Sequence, residues 1–348
     1  MRPSGGVGVT RLWLARAGIL GHRRRAGLLD RRAAWTDDAV RRAAWAGLTD
    51  SMPRAALLSL HARLENVTDD SWEDAAFVQV WGPRYSVYVV CGCDVAVFTR
   101  GRLPAGGAAR ARADDIASRL ADVLDGERSD VREAAAALEI HPNAIRYAAP
   151  TGTLLIRWDG GRQPEVWMVA VPDTHDEEMR RELARRHLHV AGPSTPASFS
   201  QWAGLRSGLA EAVFDEFADE LVSVTTPVGD GWILAADEPS FRSQPDPPAP
   251  ARLLPSGDTY WLCWGADRHL LVPDAGHRDM LWTSRVWPGA VMVDGEIIGT
   301  WRRSRHAVTI QPWHDLPAAA RDAVEAEAIS FPLPGLDRQI EVSWSRTD

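Results

Sequence analysis

Cysteine and histidine pairs are the residues of this 348-residue chain whose types and spacing come nearest to a metal site. Cys91 and Cys93 are separated by one glycine, and His187 and His189 by one leucine. A structural zinc site needs four ligands, which usually come as two such pairs at a fixed spacing. Neither pair has a matching partner, and the histidines lie near the predicted end of a helix, where imidazoles favour the helix dipole. The sequence therefore predicts no metal and no cofactor.

Lysine is absent from the chain, so all 39 residues counted as lysine or arginine are arginine. This excludes Schiff-base chemistry by a side-chain amine and Walker-type phosphate loops. No GxSxG or HExxH motif occurs. The three cysteines are too few for a disulfide framework, and no stretch approaches the roughly 20 apolar residues of a membrane span. We expect a cytoplasmic protein without membrane contact.

The charge of the chain is unevenly distributed. A formal net charge of −8 argues against bulk attraction to nucleic acid. Residues 1–42 nevertheless hold ten arginines against three aspartates, a local balance of +7, and residues 302–306 form a second basic cluster. An acidic protein can still present a basic concave face to phosphates, but a solvated arginine-rich helix gives the same pattern. Charge alone leaves both interpretations open.

Four segments and a linker follow from the predicted elements. Residues 1–104 are helical early and strand-rich late, and Asp50 or Ser51 can cap a helix with Pro53 in its first turn. Residues 105–172 and 173–238 both show the order helix, helix, turn, helix, hairpin, which is typical of a winged helix. Residues 239–251 form a proline-rich linker, and short strands dominate residues 252–348. We predict an α+β fold with tandem winged-helix units, the first winged-helix-like, followed by a small C-terminal β-barrel or sheet.

Each full winged-helix unit contains a predicted recognition helix. Asn143 and Arg146 lie on this helix in residues 105–172, and Ser198 and Gln201 lie on it in residues 173–238. Such side chains contact phosphates and base edges in winged-helix proteins, although any exposed helix carries polar residues as well. The pattern favours a DNA-binding module.

Several runs of residues resemble the winged-helix DNA glycosylases of the AlkZ and YcaQ type. The run GLTDSMPRAA at 47–56 is similar to the start of these proteins, and residues 253–260, 271–278 and 291–302 are similar to their C-terminal signature. The resemblance covers nearly the whole chain. It implies a C-shaped molecule around duplex DNA that hydrolyses the N-glycosidic bond of N-alkylated purines, and some members unhook interstrand crosslinks.

The catalytic signature of that family, Gln-x-Gln or Gln-x-Asp, falls on Thr49, Asp50 and Ser51, where both end positions depart from it. Glutamine reaches a water or an oxocarbenium-like centre that threonine cannot reach. Because an alkylated purine is already a cationic leaving group, a carboxylate such as Asp50 can suffice to orient water. Helix capping is the alternative role of Asp50 and Ser51. The absence of lysine implies a monofunctional enzyme that leaves an abasic site.

We therefore predict Thr49, Asp50 and Ser51 as catalytic positions. The predicted DNA contacts are Arg54, Asn143, Arg146, Arg278, Arg302 and Arg303. The expected partner is double-stranded DNA, alkylated or crosslinked, bound by a monomer. Two other interpretations remain open: a non-catalytic DNA-binding or regulatory protein of the same fold, and a small-molecule-binding protein that uses the C-terminal tryptophans.

Overall fold

The computed structural model describes residues 11–336 and 338–345, and its strands form three sheets surrounded by helices. Residues 1–10 of the predicted basic segment and residues 337 and 346–348 of the predicted C-terminal unit lie outside the described residues. No helix in the described ranges has the length and apolar content that a membrane span requires.

The first half of the chain carries seven strands and six helices of the α type among the described residues. In chain order these are β1 (Leu12–Trp13), α1 (Arg16–Ala26), α2 (Asp37–Ala43), β2 (Leu48–Thr49), α3 (Ala55–Arg63), β3 (Phe77–Trp81), β4 (Val87–Cys91), α4 (Val95–Thr99), α5 (Gly107–Leu124), β5 (Ser129–Asp130), α6 (Val131–Ala137), β6 (Leu154–Arg157) and β7 (Glu165–Met168). A 3₁₀ segment, Pro142–Thr151, takes the place of the predicted recognition helix of residues 105–172.

The second half begins with a helical unit and ends in a sheet. Its elements are α7 (Asp176–Ala191), α8 (Pro196–Ala203), α9 (Ser207–Glu216), β8 (Leu221–Thr226), β9 (Gly229–Leu234), α10 (Glu238–Arg242), β10 (Ala251–Leu254), α11 (Asp267–Leu271), α12 (Ala275–Leu281), β11 (Gly289–Val293), β12 (Glu296–Ser304), β13 (Ala307–Pro312), α13 (Ala318–Ile329) and β14 (Glu341–Trp344).

The sheets cross the boundaries that the sequence predicts between segments. One six-stranded sheet has the order β2-β4-β3-β6-β7-β5 and joins residues 1–104 to residues 105–172. The N-terminal β1 pairs in parallel with β8, so it belongs to the three-stranded sheet of the third segment. The predicted linker 239–251 is also shorter than expected, because α10 covers its first residues and β10 begins at Ala251.

The C-terminal strands β10 to β14 form one sheet in chain order, antiparallel except for the parallel pair β13–β14. β10 and β14 are its two edges, so within the described residues the hydrogen bonding gives a sheet rather than a closed barrel. The Asp294-Gly295 dipeptide predicts a hairpin turn, and the structure has one between β11 and β12, with both residues at positive φ (49° and 81°), as a type I′ turn requires.

A buried ion pair fastens α3 to the C-terminal segment. Both terminal nitrogens of Arg63 donate to the two carboxylate oxygens of Asp258 at 2.7 Å, and the Ser59 hydroxyl donates to the same carboxylate at 2.6 Å. The side chains of Arg63 and Asp258 are only 1% and 0% exposed. This pair holds the loop that follows β10 against the helix that follows β2, and thereby fixes the cleft described next.

Candidate active site

A cleft lies between the turn from β2 to α3 and three pieces of the C-terminal segment: the loop after β10, the loop before β11 and the end of β12. It contains two adjoining cavities of about 320 Å³ each, which share Met52, Ser256, Val286 and Trp287 as a common wall. Met52 and Val286 expose 41% and 51% of their surface there. Exposed apolar side chains of this size between two cavities mark a binding surface rather than a core.

The two cavities differ in their remaining residues. The basic cavity is lined in addition by Pro53, Ala55, Leu58, Pro255, Pro288, Gly289, Trp301, Arg302 and Arg303. The aromatic cavity is lined by Thr49, Ser51, Pro83, Arg84, Ser86, Tyr88, Gly257, Leu262, Trp264 and Arg285. No carboxylate, amide, imidazole or thiol stands among these described lining residues, so neither cavity offers a metal site or a general base in direct contact.

Thr49 and Ser51 lie in the lining of the aromatic cavity, as expected for residues at a reacting position. The Thr49 hydroxyl, however, donates to the carbonyl of Gly257 at 2.7 Å, so it connects β2 to the C-terminal segment. Gly257 has a φ of +73°, and a Cβ there would lie 3.0 Å from the Thr49 Oγ1. Ser51 is exposed.

Asp50 points away from the cleft into the protein, and only 1% of it is exposed. One carboxylate oxygen accepts the backbone N–H of Ala56 in the first turn of α3 at 3.1 Å, and the other accepts the Gln79 side-chain amide at 3.0 Å. The carboxylate thus acts on the start of α3, in the manner of a cap, and lines neither cavity. This geometry favours the capping role over direct contact with a water in the cleft.

Gln79 is a residue that sequence reasoning missed. Its carbonyl oxygen accepts the Trp158 backbone N–H at 2.6 Å, and its amide nitrogen donates to the Trp158 carbonyl at 3.2 Å. These two bonds fix the orientation of the amide, so its nitrogen must face Asp50. The available signal was a single amide in the middle of the apolar strand β3, whose residues are FVQVW.

Burial raises the pKa of Asp50 from 3.8 to about 7, against the lowering effects of the Ala56 N–H, Arg54 and Gln79. Between these two pH values the folded chain retains a proton that the unfolded chain has lost, so folding stability falls as the pH rises. Relative to an Asp50→Asn variant, the wild type is expected to lose about 3 kcal/mol of unfolding free energy between pH 5 and pH 8.

Urea unfolding of both proteins across this pH range measures that difference in unfolding free energy. Placing an amide against Gln79 has a cost that does not depend on pH, so this cost does not affect how the difference changes with pH. Asp114→Asn, at an exposed carboxylate of α5, controls for the substitution itself. If the difference in unfolding free energy between the wild type and Asp50→Asn stays constant from pH 5 to pH 8, the pKa of Asp50 is not raised.

The predicted DNA contacts divide into two groups. Arg302 and Arg303, at the end of β12, line the basic cavity and have exposed side chains. Arg302 donates to the carbonyl of Val286 at 3.1 Å, which ties it to the shared wall. Arg84 and Arg285, which the sequence analysis did not select, bring two further guanidinium groups to the aromatic cavity.

The other four predicted contacts lie outside both cavity linings. The Arg54 guanidinium stacks on Trp72 with its central carbon 3.9 Å from the ring centroid. Arg278 folds back onto the carbonyls of Val272 and Pro273. Asn143 and Arg146 lie on the 3₁₀ segment, where Asn143 is exposed and Arg146 is half-buried.

The fold and the cleft define a mixed α+β protein with a site built by its first and last segments. The family model described as "DNA glycosylase AlkZ-like" matches residues 40–331, and this chain belongs to the AlkZ-like DNA glycosylase family. The resemblance predicted from residues 47–56 and the C-terminal runs is thereby confirmed.

Two related proteins give the extent of the similarity. The "Interstrand DNA cross-link repair glycosylase" of Streptomyces sahachiroi is 27% identical over 191 residues, which span 53% of this chain and about half (47%) of that protein. The solved structure of Streptomyces sahachiroi DNA glycosylase AlkZ aligns with a TM-score of 0.75, over 96% of this chain and 100% of that chain. Because its sequence identity is 16%, this structure shows the fold alone.

Proposed function

We propose that this chain binds duplex DNA across the cleft and hydrolyses the N-glycosidic bond of an N-alkylated purine, leaving an abasic site. The observation that carries the proposal is the pair of cavities at the family's signature position, with arginines on both sides of an exposed apolar wall. In this proposal the segments 105–172 and 173–238 serve as winged-helix units, and the duplex lies against them and the C-terminal sheet.

The lining of the aromatic cavity suits a cationic base. The Trp264 ring, with the Arg84 guanidinium 5.2 Å from its centroid, can attract a purinium ion when this arginine turns to a flanking phosphate, and the arginines neutralise such phosphates. Burial raises the pKa of the Tyr88 phenol, so this group stays protonated and does not serve as a base. Since the alkylated base departs as a neutral molecule, the reaction needs no acid, and the Ser51 hydroxyl is the polar group of the signature that can hold the attacking water.

Base release from duplex DNA that contains N7-methylguanine tests this function, read as alkali-labile strand breaks against a no-protein control. Release above spontaneous depurination is the expected result. The absence of a carboxylate or amide in the cleft favours a second candidate, a non-catalytic binder of the same DNA. Fluorescence anisotropy of the same labelled duplex in the same tubes distinguishes them, since a binder retains the DNA without releasing the base.

Removing both arginines of the basic cavity is expected to weaken DNA binding at every sequence. In the double variant Arg302→Ala, Arg303→Ala, the slope of log affinity against log salt should fall by about 2, because about one counterion is released for each phosphate contact. Anisotropy titrations from 50 to 200 mM salt measure this slope. The variant Arg242→Ala, at an exposed arginine that pairs with Glu238 on α10, is the control and should leave the slope unchanged. Equal slopes for the wild type and Arg302→Ala, Arg303→Ala would remove these residues from the interface.

A further inference from the structure

Two histidines and one aspartate from three distant parts of the chain lie close together, and they line neither cavity of the cleft. They are His22 on α1, His189 on α7 and Asp237 in the 3₁₀ turn Ala235–Asp237 before α10. One ligand-type atom from each lies within 4.8 Å of the other two. His189 is one of the histidines that the sequence analysis singled out without finding a partner.

We propose that His22, His189 and Asp237 form a site for one divalent first-row transition metal ion, with zinc as the representative ion. Two imidazoles and one carboxylate are a common ligand set for such ions, and the fourth position remains open to water. The proposal does not depend on the proposed function. It revises the expectation of no metal that the sequence supports.

The hydrogen bonds around His22 determine which of its two ring nitrogens has the lone pair that could bind an ion. Its Nε2 lies 2.8 Å from the carbonyl oxygen of His189, which can only accept, so Nε2 carries the proton. The lone pair of the neutral ring is then on Nδ1, where it accepts the Ser240 hydroxyl at 2.8 Å, and an ion at this nitrogen would replace that hydrogen bond. A metal-binding histidine characteristically donates its other ring N–H to a carbonyl or carboxylate in this way. Phe241 stacks on the ring at 3.8 Å and fixes its plane.

The spacing between His189 and Asp237 also suits a shared ion. The His189 Nδ1 lies 3.0 Å from both carboxylate oxygens of Asp237. At the tetrahedral angle, two ligands at about 2.1 Å from one ion are about 3.4 Å apart, so both groups can ligate after separating by a few tenths of an ångström. Without an ion the same atoms form an ion pair or hydrogen bond, which is the competing explanation of their proximity.

The charges around the cluster are close to balanced. Arg23 lies near His22, and Arg25 donates to the Ser240 carbonyl at 2.7 Å and to its hydroxyl at 3.2 Å. Asp246 faces Arg25 at 3.5 Å. With Asp237 as a ligand, a bound ion would connect α1, α7 and the turn before α10, which join the first and third segments of the chain.

Titration of the chelator-treated, tag-free full chain with Co²⁺ tests the site through the visible absorption of the coordinated ion, followed by displacement with Zn²⁺. We expect one equivalent to bind and the melting temperature to rise. Asp237→Asn should weaken binding at least about 10-fold. Glu341→Gln removes a carboxylate beside another histidine, His306, and should leave binding unchanged.

Circular dichroism and melting of the metal-free proteins show whether a variant folds. If Asp237→Asn does not, His189→Gln replaces it, because the His189 side chain is 37% exposed. Equal binding to the wild type and the folded variant would place the ion elsewhere and overturn the proposal. So would the absence of Co²⁺ and Zn²⁺ binding at about 100 μM, which would leave a hydrogen-bonded contact between α1, α7 and the turn before α10.

Discussion

Replacing Asp258 with alanine is expected to lower the free energy of unfolding by about 3–5 kcal/mol. The carboxylate is fully buried and accepts two hydrogen bonds from Arg63, one from the Ser59 hydroxyl and one from the Tyr260 N–H. Its removal leaves the Arg63 guanidinium buried, 1% exposed, without its counter-charge. The desolvation of an unpaired cation, rather than the loss of the attraction itself, accounts for most of the expected cost.

Chemical denaturation of the wild type and Asp258→Ala measures this cost. Asp114→Ala removes a partner of Arg110 from an exposed pair on α5 and should change stability by less than about 1 kcal/mol. The double variant Arg63→Met, Asp258→Leu separates the two contributions, because it removes both charges and should recover most of the loss. A change below about 1 kcal/mol in Asp258→Ala would show that solvent reaches Arg63 and that the two segments are not fastened by this pair.

The elements that local chemistry dictates could be predicted from the sequence. Thr195 caps α8 by accepting the Ser198 N–H, Pro196 occupies its first position, and Gly204 ends it in the left-handed conformation. The sequence also predicts helices at residues 108–124, 176–190 and 317–328, and α5, α7 and α13 begin and end within one residue of these bounds. In each of these cases the signal and the structure depend on residues within one or two helical turns.

Predictions that depended on short apolar runs were wrong. The apolar runs at residues 269–272 and 262–264 predict strands, but the first is mostly α11 and the second has no regular secondary structure. Glycines at residues 229 and 231 also predict the turn between β8 and β9 at that point, but it lies at residues 227–228. A run of three to five apolar residues has no period long enough to distinguish a helix from a strand, so the surrounding core decides.

The orientation of Asp50 shows why the candidate site could be located but not assembled. Its position beside the predicted start of α3 was correct, and both of its alternative roles were compatible with the sequence. Its actual partner, Gln79, lies 29 residues away, and the carbonyl that binds Thr49 lies 208 residues away. Such contacts depend on how β2, β3 and the C-terminal segment pack together, which no local pattern records.

Filling the two cavities with a large side chain from their shared wall is expected to abolish base release. Ser256 lines both cavities from the loop after β10, and an indole in its place would occupy much of the space that either one offers. In Ser256→Trp we expect release of N7-methylguanine to fall to the no-protein background under single-turnover conditions. Binding of undamaged duplex should remain within about threefold, because the phosphate contacts do not pass through this residue.

The matched substitution Ser207→Trp adds the same side chain at an exposed serine at the start of α9, away from the cleft, and should leave base release unchanged. Equal melting temperatures of the two variants establish that the loop after β10 tolerates the larger residue. Undiminished release by a folded Ser256→Trp variant would mean that the damaged nucleotide never enters the cavities, and hydrolysis would then have to occur on the exposed side of Met52 and Val286. Ser256→Ala distinguishes the filling of the cavities from the loss of the serine hydroxyl. It removes the hydroxyl without filling the space, so it should retain activity under the proposed mechanism.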